Sequence, residues 1–431
     1  MSTTSRPPLV VQVKRRERNF SARSCFVENQ IGICLGPIAL LFLTHCIPSA
    51  RVYTAKFLSL SYYNDETRHY GLGFDDAYLV VFLVALFTGL RAASSQSIFT
   101  PFARWYGLGT SRTTRFSEQA WMVLYYLICW PIGMYIYTVS PYWLDLGELW
   151  TCWPQRETAG PMKAYMLAQL AFWLHQIILI NIEKRRKDHW QMFSHHIVTI
   201  ALIYSSYRYG LTRVGNVILV LLDINDLVFS TAKCLKYLEL QTLCDMMFGV
   251  FVVSWIMCRH VAFVMVCWSV YAHMPQYMTA GCFRGSGDKI WGPLPIPADG
   301  NNYLLEPLAS SSGLVCFNSV IRLSFLGGLL FLQGLMIFWF IMIVRLVIRV
   351  LYGENAEDTR SDDEEEDQSA SRMERPAERD IGAEHLKHWA EQSGTGIIRP
   401  DTHQRSRAIS GSLQRERKRL LDRIGCDKKI E

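Results

Sequence analysis

Stretches of about 20 apolar residues recur along this chain, and each is the length that crosses a bilayer as a helix. We read eight: 31–48, 77–97, 120–140, 163–182, 190–207, 214–234, 245–270 and 325–350. Inside hydrocarbon every backbone N–H and C=O needs an internal partner, so such runs must be helical. The expected fold is therefore all-α, a polytopic membrane helix bundle of about eight transmembrane helices. Pro131 falls inside the third run, where a bundle tolerates a kink.

Lysine and arginine orient such a bundle, because cytosolic loops carry them in excess. The N-terminal segment holds Lys14, Arg15, Arg16, Arg18 and Arg23. The loops 98–119 and 183–189 are basic, and Lys233 and Lys236 close the sixth run. The loop 141–162 carries Asp145, Glu148 and Glu157 against Arg156. Eight spans then place both termini in the cytosol. The net charge of +6 is spent on topology, and no aromatic–basic interleaving suggests a nucleic-acid partner. The first run follows a polar segment without a small-residue cleavage pattern, so no cleaved signal peptide is expected. Asn19-Phe20-Ser21 is a glycosylation triplet that a cytosolic N-terminus would leave unmodified. The twelve cysteines form no C-x-x-C pair, which argues against structural zinc or an iron–sulfur cluster. Cys152, Cys282 and Cys316 fall in loops predicted to be lumenal, and an odd count fixes no pairing.

Ionisable residues at membrane depth are expensive and mark functional sites by default. His195 and His196 lie early in the fifth run; Asp223 and Asp226 lie in the sixth. At 1.5 Å per residue His195 is roughly 8 Å deep and Asp226 roughly 12 Å. The two runs are antiparallel, so both pairs fall in one half of the bilayer. The i, i+3 spacing puts the two aspartates on one helix face. The basic cluster Lys184, Arg185, Arg186 and Lys187 stands at the entrance to the fifth run. Its plain role is topology; its functional role is to attract an anionic headgroup. His175 in the fourth run is either a hydrogen-bonded core histidine or a neighbour of the site. Arg259, near the middle of the seventh run, must meet an acid, protein carbonyls or a ligand headgroup. A histidine beside a carboxylate in a dry pocket suits acyl transfer, as general base or nucleophile. The same residues also suit a metal set, a transporter's proton relay, or polar packing.

Beyond residue 352 the composition turns polar and charged, too poor in apolar residues to build a core. Ser361 opens the run SDDEEED and is a candidate phosphorylation site for an acid-directed kinase. The basic stretch 414–420 suits anionic headgroups. Lys428 and Lys429, fourth and third from the end, resemble a dilysine retrieval signal of endoplasmic-reticulum membrane proteins.

The stretch RRKDHWQMFSHHIVTI…LLDINDLVFSTAKCLKYLE strongly resembles the Lag motif of ceramide synthases, multispan enzymes with a TLC (TRAM–Lag–CLN8) domain. The likeness runs over 112–352 and rests on Arg185-Arg186-Lys187-Asp188, His195-His196 and Asp223 with Asp226. Composition and this likeness together divide the chain into four parts: a basic cytosolic segment at 1–30, additional helices and a cytosolic loop at 31–111, a catalytic TLC membrane domain at 112–352 built on six or seven helices, and a disordered cytosolic tail at 353–431. The extra first span, acidic tail and terminal lysines look like the fungal branch. The family implies N-acylation of a sphingoid base by a fatty acyl-CoA, a co-substrate rather than a bound cofactor, with no catalytic metal. It places the choice of acyl length partly near the loop 271–324. It also implies residence in the endoplasmic-reticulum membrane. As partners it implies a second catalytic chain, giving a homo- or hetero-dimer, or a small single-span regulatory subunit. The competing reading is a non-enzymatic lipid sensor or transporter that uses the His/Asp set as a proton relay.

Overall fold

Each of the eight apolar runs forms a helix in the computed structural model, which describes residues 29–182, 188–285, 290–297, 302–310 and 313–352. In chain order the described helices of eight or more residues are α1 (Gln30–His45), α2 (Pro48–Leu58), α3 (Asp76–Trp105), α4 (Thr110–Thr138), α5 (Gly160–Ile182), α6 (His189–Arg208), α7 (Thr212–Tyr237), α8 (Gln241–Ala272), α9 (Asn302–Ala309) and α10 (Ser319–Leu351). Pro131 is accommodated inside α4 without ending it. The described residues all belong to one compact unit, Met1–Asp362.

Among the described residues five helices, α3, α4, α5, α8 and α10, are long and apolar enough to cross a membrane. Helices α6 and α7, with 20 and 26 residues, have the length of a span but a heavier polar load. That load includes His195, His196, Asp223 and Asp226. Neighbour contacts close a ring in the order α4–α5–α6–α10–α8–α7 and back to α4. Helices α1 and α3 pack outside this ring, with α3 against α5.

Short strands decorate one end of the ring, here called the far end. β1 (Tyr63–Asn64), β2 (His69–Gly71) and β3 (Glu157–Thr158) form an antiparallel sheet that ties the α2–α3 connection to the start of α5. β4 (Gly281–Arg284) pairs with both β5 (Trp291–Leu294) and β6 (Val315–Phe317). Cys282 and Cys316 face each other in the β4–β6 register and are joined by a disulfide, while Cys152 is exposed and unbridged. Below the first sheet, Lys163 and Asp76 form a buried ion pair at 2.7 Å. The Tyr207 hydroxyl donates to Asp76 Oδ2 at 2.8 Å, which fastens α3 to the end of α6. Burial lowers the pKa of Arg156 to about 10, with the Arg208 charge acting in the same sense and Glu306 opposing both. It therefore stays a cation at neutral pH and donates to the Gly313 carbonyl, holding the β6 approach against the ring.

Candidate active site

The turn Tyr209–Leu211 joins α6 to α7 at the far end. Gly210 has φ +68°, and a Cβ there would stand 2.5 Å from the Gln155 carbonyl oxygen, so no other residue fits without displacing backbone. Neighbouring residues are pinned as well. Arg208 Nε donates to the Pro307 carbonyl at 2.8 Å and the Tyr209 hydroxyl to that of Leu304 at 2.5 Å. From this fixed turn the two helices run back to the opposite end, where their polar residues gather.

A cavity of about 260 Å³ lies there inside the ring. His195, His196, Asp226 and Arg259 line it, among the indoles of Trp121, Trp173, Trp255 and Trp339. The His195 and His196 rings are edge-to-face at 5.5 Å between centroids. Trp173 packs on both, at 5.5 and 5.1 Å, and Trp339 on His195 at 5.4 Å. His196 Nδ1 lies 2.7 Å from the Met192 carbonyl. A carbonyl only accepts, so Nδ1 carries the proton and Nε2 keeps a lone pair. His195 Nδ1 has no hydrogen-bond partner among the described residues, nor do the four indole nitrogens. The cavity mouth adds Arg91, Glu118, Asp188, His189 and Lys233.

The two aspartates part company. Asp226 Oδ1 is ion-paired with Arg259 at 2.5 Å, and its Oδ2 accepts from the Tyr126 hydroxyl at 3.3 Å. Arg259 also donates to the Leu222 carbonyl at 3.2 Å and stacks over Trp255 at 4.3 Å. It stands on a π-helical segment of α8, Trp255–Ala262, a distortion frequent at functional sites. Asp223 is fully buried and does not line the cavity. Its Oδ2 accepts from Gln169 Nε2 at 2.6 Å, and Gln169 in turn meets Tyr125 and Tyr165 at 3.2 Å each. Among the described hydrogen bonds, neither carboxylate touches a histidine ring. The expectation that all four residues meet around one pocket thus holds for His195, His196 and Asp226, whereas Asp223 sits in the adjoining α5–α7 layer.

His175 is also outside the cavity lining. It is fully buried, with Nδ1 2.9 Å from the Thr88 hydroxyl, and bonds α5 to α3. Lys184, Arg185, Arg186 and Lys187 lie outside the described residues, immediately before Asp188 and His189 of the cavity mouth. Sequence reasoning passed over Gln169, Tyr126 and the four tryptophans. Gln169, an amide inside an apolar run, carried a readable signal of cost. The aromatic residues did not, because 13% of the chain is aromatic.

A second cavity lies on the other side of Trp173, the one residue that lines both. It is a narrow slot with an almost wholly apolar lining. Thr199, Leu202, Ile203 and Ser206 of α6 face Val214, Ile218 and Leu222 of α7 across it. Trp150, Leu211 and Met274 form its far-end wall.

A family model described as "TLC domain" (TRAM_LAG1_CLN8) matches residues 115–345. The chain is 45% identical over 336 residues to the ceramide synthase FUM18 of Gibberella moniliformis, covering 78% of each protein. It is 43% identical over 345 residues to the sphingosine N-acyltransferase-like protein ALT7 of Alternaria alternata, covering 79% of this chain and 76% of that one. To sphingosine N-acyltransferase lag1 of Schizosaccharomyces pombe it is 40% identical over 340 residues, covering 79% and 80%.

Proposed function

The chain belongs to the TLC-domain family, and from that premise we propose that it is a ceramide synthase, transferring a fatty acyl group from acyl-CoA to the amine of a sphingoid base. The observation that carries this reading is one cavity holding two histidines and an arginine-paired aspartate, with an apolar slot on the other side of a shared tryptophan. The cavity suits a polar reacting centre and the slot an alkyl tail. The competing reading, a lipid sensor or transporter with a His/Asp relay, could also use such a slot, and the slot does not favour it. The names of the relatives point to the transferase.

In this reading the CoA headgroup lies at the cytosolic mouth, near Arg91, Lys233 and the Lys184–Lys187 cluster, and the thioester reaches the histidine pair. His195 acts first. In the covalent form one of its ring nitrogens attacks the thioester carbon, the C–S bond breaks, and CoA leaves as thiolate. The amine then attacks the acyl-imidazole, the amide forms, and His195 is released. In the direct form the amine attacks the thioester itself. In both, the amine gives up a proton that a histidine accepts and the departing thiolate finally takes. His196, with Nδ1–H committed to Met192, holds the lone pair for that transfer. Asp226 and Arg259 neutralise each other at the wall and keep a dipole beside the reacting centre.

We infer that the enzyme resides in the endoplasmic-reticulum membrane with both termini cytosolic, a reading that the family and the lysine and arginine distribution support. A second catalytic chain or a single-span subunit is the expected partner. Purified protein given sphinganine and acyl-CoA should release CoA only when both are present. General-base help is worth about 10²–10⁴ in rate, so His195→Ala should lose at least that. Acyl-CoA alone should add one acyl mass to His195 in the covalent form. A His195→Ala variant with near-normal turnover would move the role to His196.

A further inference from the structure

The far-end wall of the apolar slot is built like a stop. Trp150, in the loop between α4 and β3, is 1% exposed, although its loop lies outside every ring helix. Its Nε1 donates to Ser269 Oγ at 2.8 Å. Ser269, on α8, in turn donates to the Leu146 carbonyl at 3.0 Å and meets His273 Nδ1 at 3.2 Å. The indole is thus hydrogen-bonded across the ring's end to a residue that is itself tied back to the Trp150 loop. Rotation out of the slot would break the Nε1 bond and orphan a buried donor. Leu211 and Met274 complete the wall, 5% and 1% exposed.

Resting on the N-acyltransferase reading, we propose that Trp150, clamped by Ser269, is the specificity-determining residue that limits the length of the acyl chain. The slot starts at Trp173, which packs on both histidines, so a chain whose carbonyl is at His195 enters it tail first. Along α6, Ser206 is the last residue that lines the slot and is eleven residues beyond His195, or roughly 16 Å at 1.5 Å per residue. An extended chain with bonds of about 1.5 Å advances about 1.25 Å per carbon, so the span from the histidines to the end of the slot corresponds to about 13 carbons. This stop lies on the loop between α4 and β3, not on the segment 271–324, which contributes Met274 to the wall.

The test is a competition. The full-length protein receives one sphingoid base with an equimolar panel of acyl-CoAs, from short to very long, and the ceramides are read by mass spectrometry. Trp150→Ala removes an indole about four methylenes long and should move the product optimum about four carbons longer. Ile203→Phe fills the slot eight residues beyond His195 and should move it shorter. The ratio of long to short products is the readout, so a change in total turnover does not decide the outcome. A mirror panel holds the acyl-CoA fixed and varies the base. If the acyl optimum stays in place in both variants, the assignment is overturned. If the base preference shifts instead, the slot holds the sphingoid chain and the assignment is equally overturned. Should Trp150→Ala yield no product, Ile203→Phe alone decides by the same ratio. A wild-type protein that makes no ceramide from any acyl-CoA would refute the N-acyltransferase reading itself, a result distinct from an unmoved optimum.

Discussion

Replacing Lys163 by methionine should cost the fold about 3–5 kcal/mol, the range for breaking a fully buried ion pair. The side chains of Lys163 and Asp76 are 0% and 5% exposed, so no solvent screens what is left behind. Lys163 Nζ is 2.7 Å from Asp76 Oδ1 and donates to the Ser61 and Gly71 carbonyls at 2.9 and 2.6 Å. In Lys163→Met the Asp76 carboxylate keeps the Gly73 N–H and the Tyr207 hydroxyl but loses its counter-charge, and two part-buried carbonyls lose a donor. Asp76→Leu strands the ammonium instead. The double variant carries no stranded charge, yet the carbonyls and the Tyr207 hydroxyl still lack partners. It should therefore lose less than the sum of the singles by at least about 2 kcal/mol, without returning to wild type. Denaturant unfolding in detergent, followed by tryptophan fluorescence, measures all four corners. A Lys163→Met loss under about 1 kcal/mol, the value of an exposed pair, would refute the reasoning, as would strict additivity.

Non-reducing denaturation should expose two fewer thiols to alkylation than denaturation after reduction, because Cys282 and Cys316 are joined. Closing a loop with a sequence separation of 34 constrains the unfolded chain by about 4 kcal/mol, so Cys282→Ser should unfold markedly earlier in denaturant. Truncation after Tyr352 should retain the intrinsic transferase rate while changing abundance or regulation, and phosphopeptide mapping should find Ser361 modified; a correctly inserted truncation with no activity would sink this view. Chelators should leave CoA release unchanged, whereas loss of activity on chelation with recovery on adding a divalent ion would favour a metal mechanism.

The helices were legible because span length is imposed by the bilayer and leaves a mark in composition. The gathering of His195, His196 and Asp226 was legible for the same reason, since depth along two antiparallel helices follows from counting. What failed was azimuth. Residues three apart on a helix still differ by about 60° in direction, given 3.6 residues per turn. On α7 that angle separates two neighbours: Asp223 turns to Gln169 of α5, and Asp226 to Arg259 of α8. Which neighbour stands where is a property of the ring order, and no single helix encodes it. His175 illustrates the same limit, since its partner Thr88 lies 87 residues away. The Lys163–Asp76 pair and the β4–β6 disulfide were hidden likewise, because loops bring their ends together without a periodic signal.

The turn at Gly210 also acts as the zero mark of a ruler. His195 lies fifteen residues before it and Asp226 sixteen after it, so the histidine and the carboxylate line one cavity only because two nearly equal lengths of helix are laid off from one point. Adding or removing a single residue anywhere between them would slide one arm by about 1.5 Å and rotate it by about 100°. Substitution inside these arms changes chemistry one side chain at a time. Insertion or deletion would discard the alignment of the whole set. The quantity under strictest constraint in this hairpin is therefore a number, the count of residues from His195 to Asp226, rather than the identity of most residues that make it up.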